Sequence, residues 1–177
     1  MLDYTVHNYM EDIIKNLVKE MLRERPDVCD CDTCYWDICA LVLNRIKPQY
    51  LEIETNIQKL SPFMLNRLRN LVLDAMVLVA NNARPYHGKD QTVTIQLQNL
   101  SEPLVRRILT EMSETNEFLR ENKESLPVIA AMILNQLEPR YAVTDRGGAY
   151  LRARELELQF LPSIMSKVYN VVKQFQG

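Results

Sequence analysis

The strongest constraint on this chain is that it repeats itself. Asp37 to Tyr50, D-I-C-A-L-V-L-N-R-I-K-P-Q-Y, returns as Val128 to Tyr141, V-I-A-A-M-I-L-N-Q-L-E-P-R-Y. Each copy is an apolar helical run, then Leu-Asn (Leu43-Asn44, Leu134-Asn135), then Pro-x-Tyr (Pro48 to Tyr50, Pro139 to Tyr141). The match continues upstream without a gap, with Asn8 on Asn99, Glu11 on Glu102, and Glu20 and Met21 on Glu111 and Met112. A duplication of this kind states an architecture before any single element is assigned.

Two units of about 85 residues sit near the lower limit for independent cores. The repeats, residues 1–90 and 91–177, are therefore expected to share one core as an internal pseudo-dimer that keeps a former two-fold interface within one chain and can stand as a monomer. Two beads on a linker, Asn81 to Asp90, is the alternative. The fold class is mainly α with minor short β.

Leu2, Tyr4 and Val6 alternate with polar residues as a strand does, and Val93, Ile95 and Leu97 repeat them. Asn8 then caps a helix, with Glu11 three residues on to complete a capping box; Asn99 and Glu102 do the same. The first helix carries Ile13, Ile14, Leu17, Val18, Met21 and Leu22 and ends at Pro26. Its counterpart spans about Asn99 to Asn122. Ser61-Pro62 opens a third helix, and its run Leu71 to Ala80, apolar but for Asp74, predicts burial nearly all round at the centre of the shared core. Pro162 interrupts the last helical region by kinking it or by starting a new segment.

The net charge of −2 supplies no basic field to hold a polynucleotide. No apolar run approaches the roughly 20 residues of a membrane span, and no secretory leader opens the chain. These features predict a cytoplasmic protein that keeps its thiols reduced.

All the cysteines fall in one short stretch, Cys29-x-Cys31-x2-Cys34-x4-Cys39. In a reducing compartment such a cluster suggests structural zinc on soft thiolates. Cys29, Cys31 and Cys34 read as a loop able to converge on one ion. Cys39 is either a fourth ligand or a small core residue, since the second copy has Ala130 in its place. A three-cysteine site completed by another side chain or another chain, and a trio of unliganded thiols, are the other readings.

The one basic stretch runs from within the second Pro-x-Tyr, Arg140 to Arg154, where Arg140, Arg146, Arg152 and Arg154 stand near Thr144, Asp145 and the pair Gly147-Gly148. Arginine forks bind phosphate or the acceptor edge of guanine, paired glycines let backbone amides approach an anion, and Tyr141 or Tyr150 could stack on a base. The plain alternative is a turn with a solvated charged face. No Cys-His or paired-carboxylate constellation points to catalysis, so the chain reads as a non-enzyme; His7 and His87 are the only histidines.

The stretch C-D-C-D-T-C-Y-W-D-I-C-A-L-V-L-N-R-I-K-P-Q-Y resembles the hallmark of the late competence protein ComFB family, C-x-C-x2-C followed by Ala-Leu-x-Leu-Asn and Pro-x-Tyr. The second copy, L-N-Q-L-E-P-R-Y-A-V-T-D-R-G-G-A-Y, resembles the other half of that signature. The likeness implies a small, mostly helical bacterial protein, zinc on Cys29, Cys31 and Cys34, and reception of a cyclic dinucleotide, notably cyclic di-GMP, in the control of competence, motility or cell size. It places Arg140, Thr144 and Arg146 where ligand contacts are expected, with Tyr141, Asp145, Gly147 and Gly148 completing the candidate site. The copies depart from the pattern in opposite ways: the first has Gln49 for the arginine and no glycine turn, and the second has lost every cysteine. The expected protein is a cyclic dinucleotide receptor acting through an unidentified protein partner. A zinc-stapled adaptor without a nucleotide is the alternative.

Overall fold

The computed structural model describes residues 4–51, 60–83, 95–144 and 148–176, and of Leu51, Thr144 and residues 148–159 the backbone alone. The strand positions Leu2 and Val93 and most of the proposed linker lie outside the described residues. The first repeat runs β1 (His7–Asn8), α1 (Tyr9–Glu24), α2 (Asp32–Leu43), β2 (Tyr50–Leu51) and α3 (Pro62–Asn81). The second runs β3 (Gln96–Asn99), α4 (Ser101–Thr115), α5 (Glu117–Glu121), a 3-10 turn (Lys123–Ser125), α6 (Leu126–Asn135), β4 (Tyr141–Thr144) and α7 (Gly148–Gln176).

Local chemistry sets most of these boundaries. The Asn8 side chain accepts a hydrogen bond from the Met10 amide at 3.1 Å, and α1 stops at Arg25, ahead of Pro26. Ser61 caps α3 through the Met64 amide at 3.2 Å, with Pro62 in the first turn as expected. The long helix expected over Asn99 to Asn122 is instead broken at Asn116, whose side chain accepts from the Leu119 amide at 3.1 Å and starts α5. α7 passes through Pro162 without ending.

Each Pro-x-Tyr segment leads into a short strand that begins at its tyrosine. β1 pairs antiparallel with β2 and β3 with β4, with Asn8 opposite Tyr50 and Asn99 opposite Tyr141. Tyr4 and Val6, read as strand, precede β1 without strand pairing.

Among the described residues the buried side chains form two clusters where one continuous core was expected, and each cluster borrows from the other repeat. The first gathers α1, α2 and α3 around Ile14, Val18, Ile38, Leu43 and Val72, and is completed by Tyr141 and Val143 of β4. The second gathers α4, α6 and α7 around Leu109, Ile129, Ile133 and Val168, and is completed by Tyr4 and Tyr50 of the first repeat. Accordingly β4 packs on α2, while β2 packs on α6. Each fully buried apolar side chain contributes about 1.5–3 kcal/mol, so neither cluster reaches its full complement from its own repeat.

α3 is not the centre of a shared core. It buries one stripe, Leu68, Val72, Ala75, Met76 and Val79, and leaves Leu73, Val77, Leu78 and Phe63 exposed, the last at 80%. Among the described residues, no helix is long and apolar enough to cross a membrane.

Candidate functional site

The polar residues common to both copies meet at the pseudo-two-fold axis. Asn8 Nδ2 donates to the Tyr141 hydroxyl at 2.7 Å, and Asn99 Nδ2 donates to the Tyr50 hydroxyl at the same distance. Each phenol in turn donates to a glutamate of the opposite repeat, Tyr141 to Glu11 at 2.8 Å and Tyr50 to Glu102 at 2.5 Å. The Leu-Asn asparagines clamp the same tyrosines by their backbone. Asn44 accepts from the Tyr141 amide at 2.6 Å and donates to its carbonyl at 2.9 Å; Asn135 does so for Tyr50 at 2.8 and 3.1 Å. Glu11 and Glu102 thus serve the partner tyrosine rather than closing a capping box on their own helices.

Both tyrosines are almost wholly buried, and burial pushes their phenols well above the ordinary value, each adding to or moderating the other's ionisation. They remain donors under all ordinary conditions. Tyr141, a candidate stacking residue on sequence grounds, is 5% exposed with its hydroxyl and backbone committed, so it offers no free ring face to a base.

A second cluster lies at the start of α2. The Sγ atoms of Cys29, Cys31 and Cys34 are all within 4.8 Å of one another. Cys31 is the N-cap residue and Cys34 sits in the first turn, so two of the three belong to a helix start rather than to a free loop. Sulfurs on one tetrahedral zinc, at bonds of about 2.3 Å, stand roughly 3.8 Å apart, a modest closure of this set. The trio is therefore able to hold a metal ion. Burial, and then the neighbouring thiols of Cys31 and Cys29, push the Cys34 thiol up. Cys39 is not part of the trio: it is fully buried in the core near Tyr35, and burial pushes its thiol up to about 12.

The third group surrounds the base of β4. Arg140 is half-buried with its guanidinium carbon 3.3 Å from the centroid of the Phe160 ring, and no carboxylate among the described residues pairs with it. Its amide donates to Asn99 Oδ1 at 3.2 Å. Thr144 ends β4, while Asp145, Arg146 and Gly147 lie outside the described residues and Gly148 begins α7. Arg140 and Thr144 are thus on or beside one strand, and the remaining candidate ligand residues follow it directly in the chain.

Residues 7–83 and 98–176 each match the family model described as late competence development protein ComFB. The chain belongs to the ComFB family. It is matched twice, as a tandem duplication requires, and membership implies a competence-related regulatory role. Neither a curated protein nor a solved structure matches the chain.

Within the ComFB frame the geometry gives Leu-Asn and Pro-x-Tyr a structural meaning: the asparagine of one copy holds the tyrosine of the other. Sequence reasoning missed this use, although a signal existed in the identity of polar residues, Asn8, Glu11, Asn44 and Tyr50, between the copies.

The same network makes a pH prediction. Burial holds the Glu102 carboxyl above its ordinary value, against the pull of the Tyr50 hydrogen bond and with the Glu11 carboxylate adding to the rise. The fold therefore favours the protonated acid, and that stabilisation is lost as pH rises through the raised pKa. Glu102→Gln keeps an acceptor for Tyr50 and removes the charge. Its melting temperature near neutral pH should exceed the wild type's by roughly 2–4 °C, with the gap closing as pH falls to about 4. A lower melting temperature at neutral pH would mean that the charged hydrogen bond outweighs its desolvation.

Proposed function

We propose that this ComFB-family protein is a non-enzymatic receptor for a cyclic dinucleotide, cyclic di-GMP first, with a structural zinc ion on Cys29, Cys31 and Cys34. The observation that carries the reading is Arg140: a guanidinium braced on Phe160, without a carboxylate partner among the described residues, at the foot of the strand that ends at Thr144, after which Arg146, Gly147 and Gly148 follow in the sequence. A guanidinium stacked on a ring keeps its N–H edge available for a phosphate or for guanine O6 and N7. The first copy has Gln49 at the equivalent position, so one chain carries one ligand face and one metal knob.

Arg140 and Asn99 touch through the Arg140 amide, and Asn99 holds Tyr50 of the other repeat. A ligand on Arg140 would bias the pairing of the repeats and thereby the surface shown to a protein partner. Arg140→Ala should leave the melting temperature within about 2 °C of wild type and weaken cyclic di-GMP binding by at least about a hundredfold. Calorimetric titration measures this, with cyclic di-AMP as comparison. Equal affinity in the variant, or no binding to either protein, would remove the receptor reading. A zinc-stapled adaptor would then stand on the thiol trio.

A further inference from the structure

Behind Arg140 lies a cavity of about 340 Å³, and its lining includes Ser101, Glu138, Arg140, Phe160, Ser163 and Lys167. Ser101 is 1% exposed, and its hydroxyl has no hydrogen-bond partner among the described residues. A buried hydroxyl left unsatisfied destabilises the fold, and a ligand with an acceptor atom would relieve that. Ser101 is also the first residue of the long helix α4, whose positive dipole end favours an anion. Arg140 and Lys167 against Glu138 leave the lining with one excess positive charge, and Glu138 is exposed.

The first repeat shows what this place looks like without a ligand. In the ungapped alignment Ser101 falls on Met10 and Arg140 on Gln49. The buried stripe Leu68, Val72, Ala75 and Met76 corresponds to Ile164, Val168, Val171 and Val172, which sets Phe160 on Met64 and Lys167 on Leu71. Met10 is buried in the first core, with Met64 and Leu71 packed against it. One apolar side chain in the core and two packed against it in one copy are thus a serine, a ring under a guanidinium and a lysine in the other. A packed core tolerates voids poorly, and exchanging methionine for serine opens one.

We infer that this cavity is an oxyanion site that takes the phosphate group of a phosphate ester, with the ester's body on Phe160 and Ile164. A space of this size exceeds a bare phosphate and falls at the low end of small-ligand pockets. The inference shares Arg140 with the receptor reading and names the phosphate subsite within it. It stands independently on Ser101 and Lys167. Asn99 Oδ1 accepts from both the Ser101 and Arg140 amides, so the two walls are tied to the asparagine that holds Tyr50.

The test is a titration of the full chain with inorganic phosphate and with phenyl phosphate at fixed ionic strength, followed by backbone amide NMR. Saturable shifts centred on Ser101, Arg140 and Lys167, with phenyl phosphate the tighter ligand, are expected. Ser101→Met, which restores the first repeat's filler, and Lys167→Gln, at a half-exposed position, should each weaken binding by at least about tenfold. Displacement of phenyl phosphate by cyclic di-GMP would identify the nucleotide's own phosphate as the occupant. Phenyl phosphate binding without displacement would support the site with a separate phosphate ester and count against the receptor reading alone. No saturable shift up to roughly 10 mM, or binding undiminished in both variants, would overturn the inference.

Discussion

Tyr141→Ala is expected to lower the unfolding free energy by about 4 kcal/mol or more, a large share of the roughly 5–15 kcal/mol that holds a typical domain. The ring fills the first repeat's core although it belongs to the second, so its removal leaves a cavity among α1, α2 and β4. Loss of the hydroxyl also strands the buried Asn8 amide donor and one acceptor of Glu11. Melting followed by circular dichroism should show a fall of roughly 10 °C. Tyr141→Phe separates the two contributions: it keeps the ring and removes only the hydrogen bonds, at a cost of about 1–3 kcal/mol. An alanine variant as stable as wild type would mean that the exchanged tyrosine does not support the first core.

Zinc is expected to bind with one ion per chain, and Cys34→Ser should weaken it by at least about a hundredfold, since loss of even an outer-shell partner costs 10–100-fold. Cys39→Ala should leave the affinity unchanged, because that thiol lies in the core near Tyr35 and the second repeat already has Ala130 at the same position. The pair of variants therefore decides between a three-cysteine and a four-cysteine site. With the Cys34 thiol pushed up by burial and by its neighbours, metal binding must expel protons, so affinity should fall as pH is lowered. Competition with a chromophoric chelator measures all three effects. A Cys39→Ala variant that loses zinc along with Cys34→Ser would restore Cys39 as a ligand.

Features set by neighbouring residues were legible in the sequence. Asn8 and Ser61 as caps, Pro26 as a stop and the cysteine spacing all act within a few residues, and all stand where expected. What escaped depends on partners far along the chain. Glu11 has the spacing of a capping box, yet its carboxylate accepts from a phenol contributed by the other repeat. The strands after Pro48 and Pro139 form only because β1 and β3 lie alongside. Leu71 to Ala80 reads as buried on composition, but only one stripe of α3 finds neighbours. The candidate ligand site was half legible: Arg140 stands out by charge, whereas Ser101 looks like an ordinary helix-start residue until it is set against Met10.

The account rests on the two repeats being one exchanged pair, and chemical denaturation read at two probes tests that most directly. Trp36, the only tryptophan, packs against the first core, while far-UV circular dichroism reports helices of both repeats. Because Tyr50 and Tyr141 each complete the other repeat's core, the two probes should give one coincident transition, and Tyr50→Ala in the second core should shift the Trp36 midpoint as well. Two separate midpoints, or a Trp36 transition untouched by Tyr50→Ala, would contradict the exchanged pair and leave two independent beads.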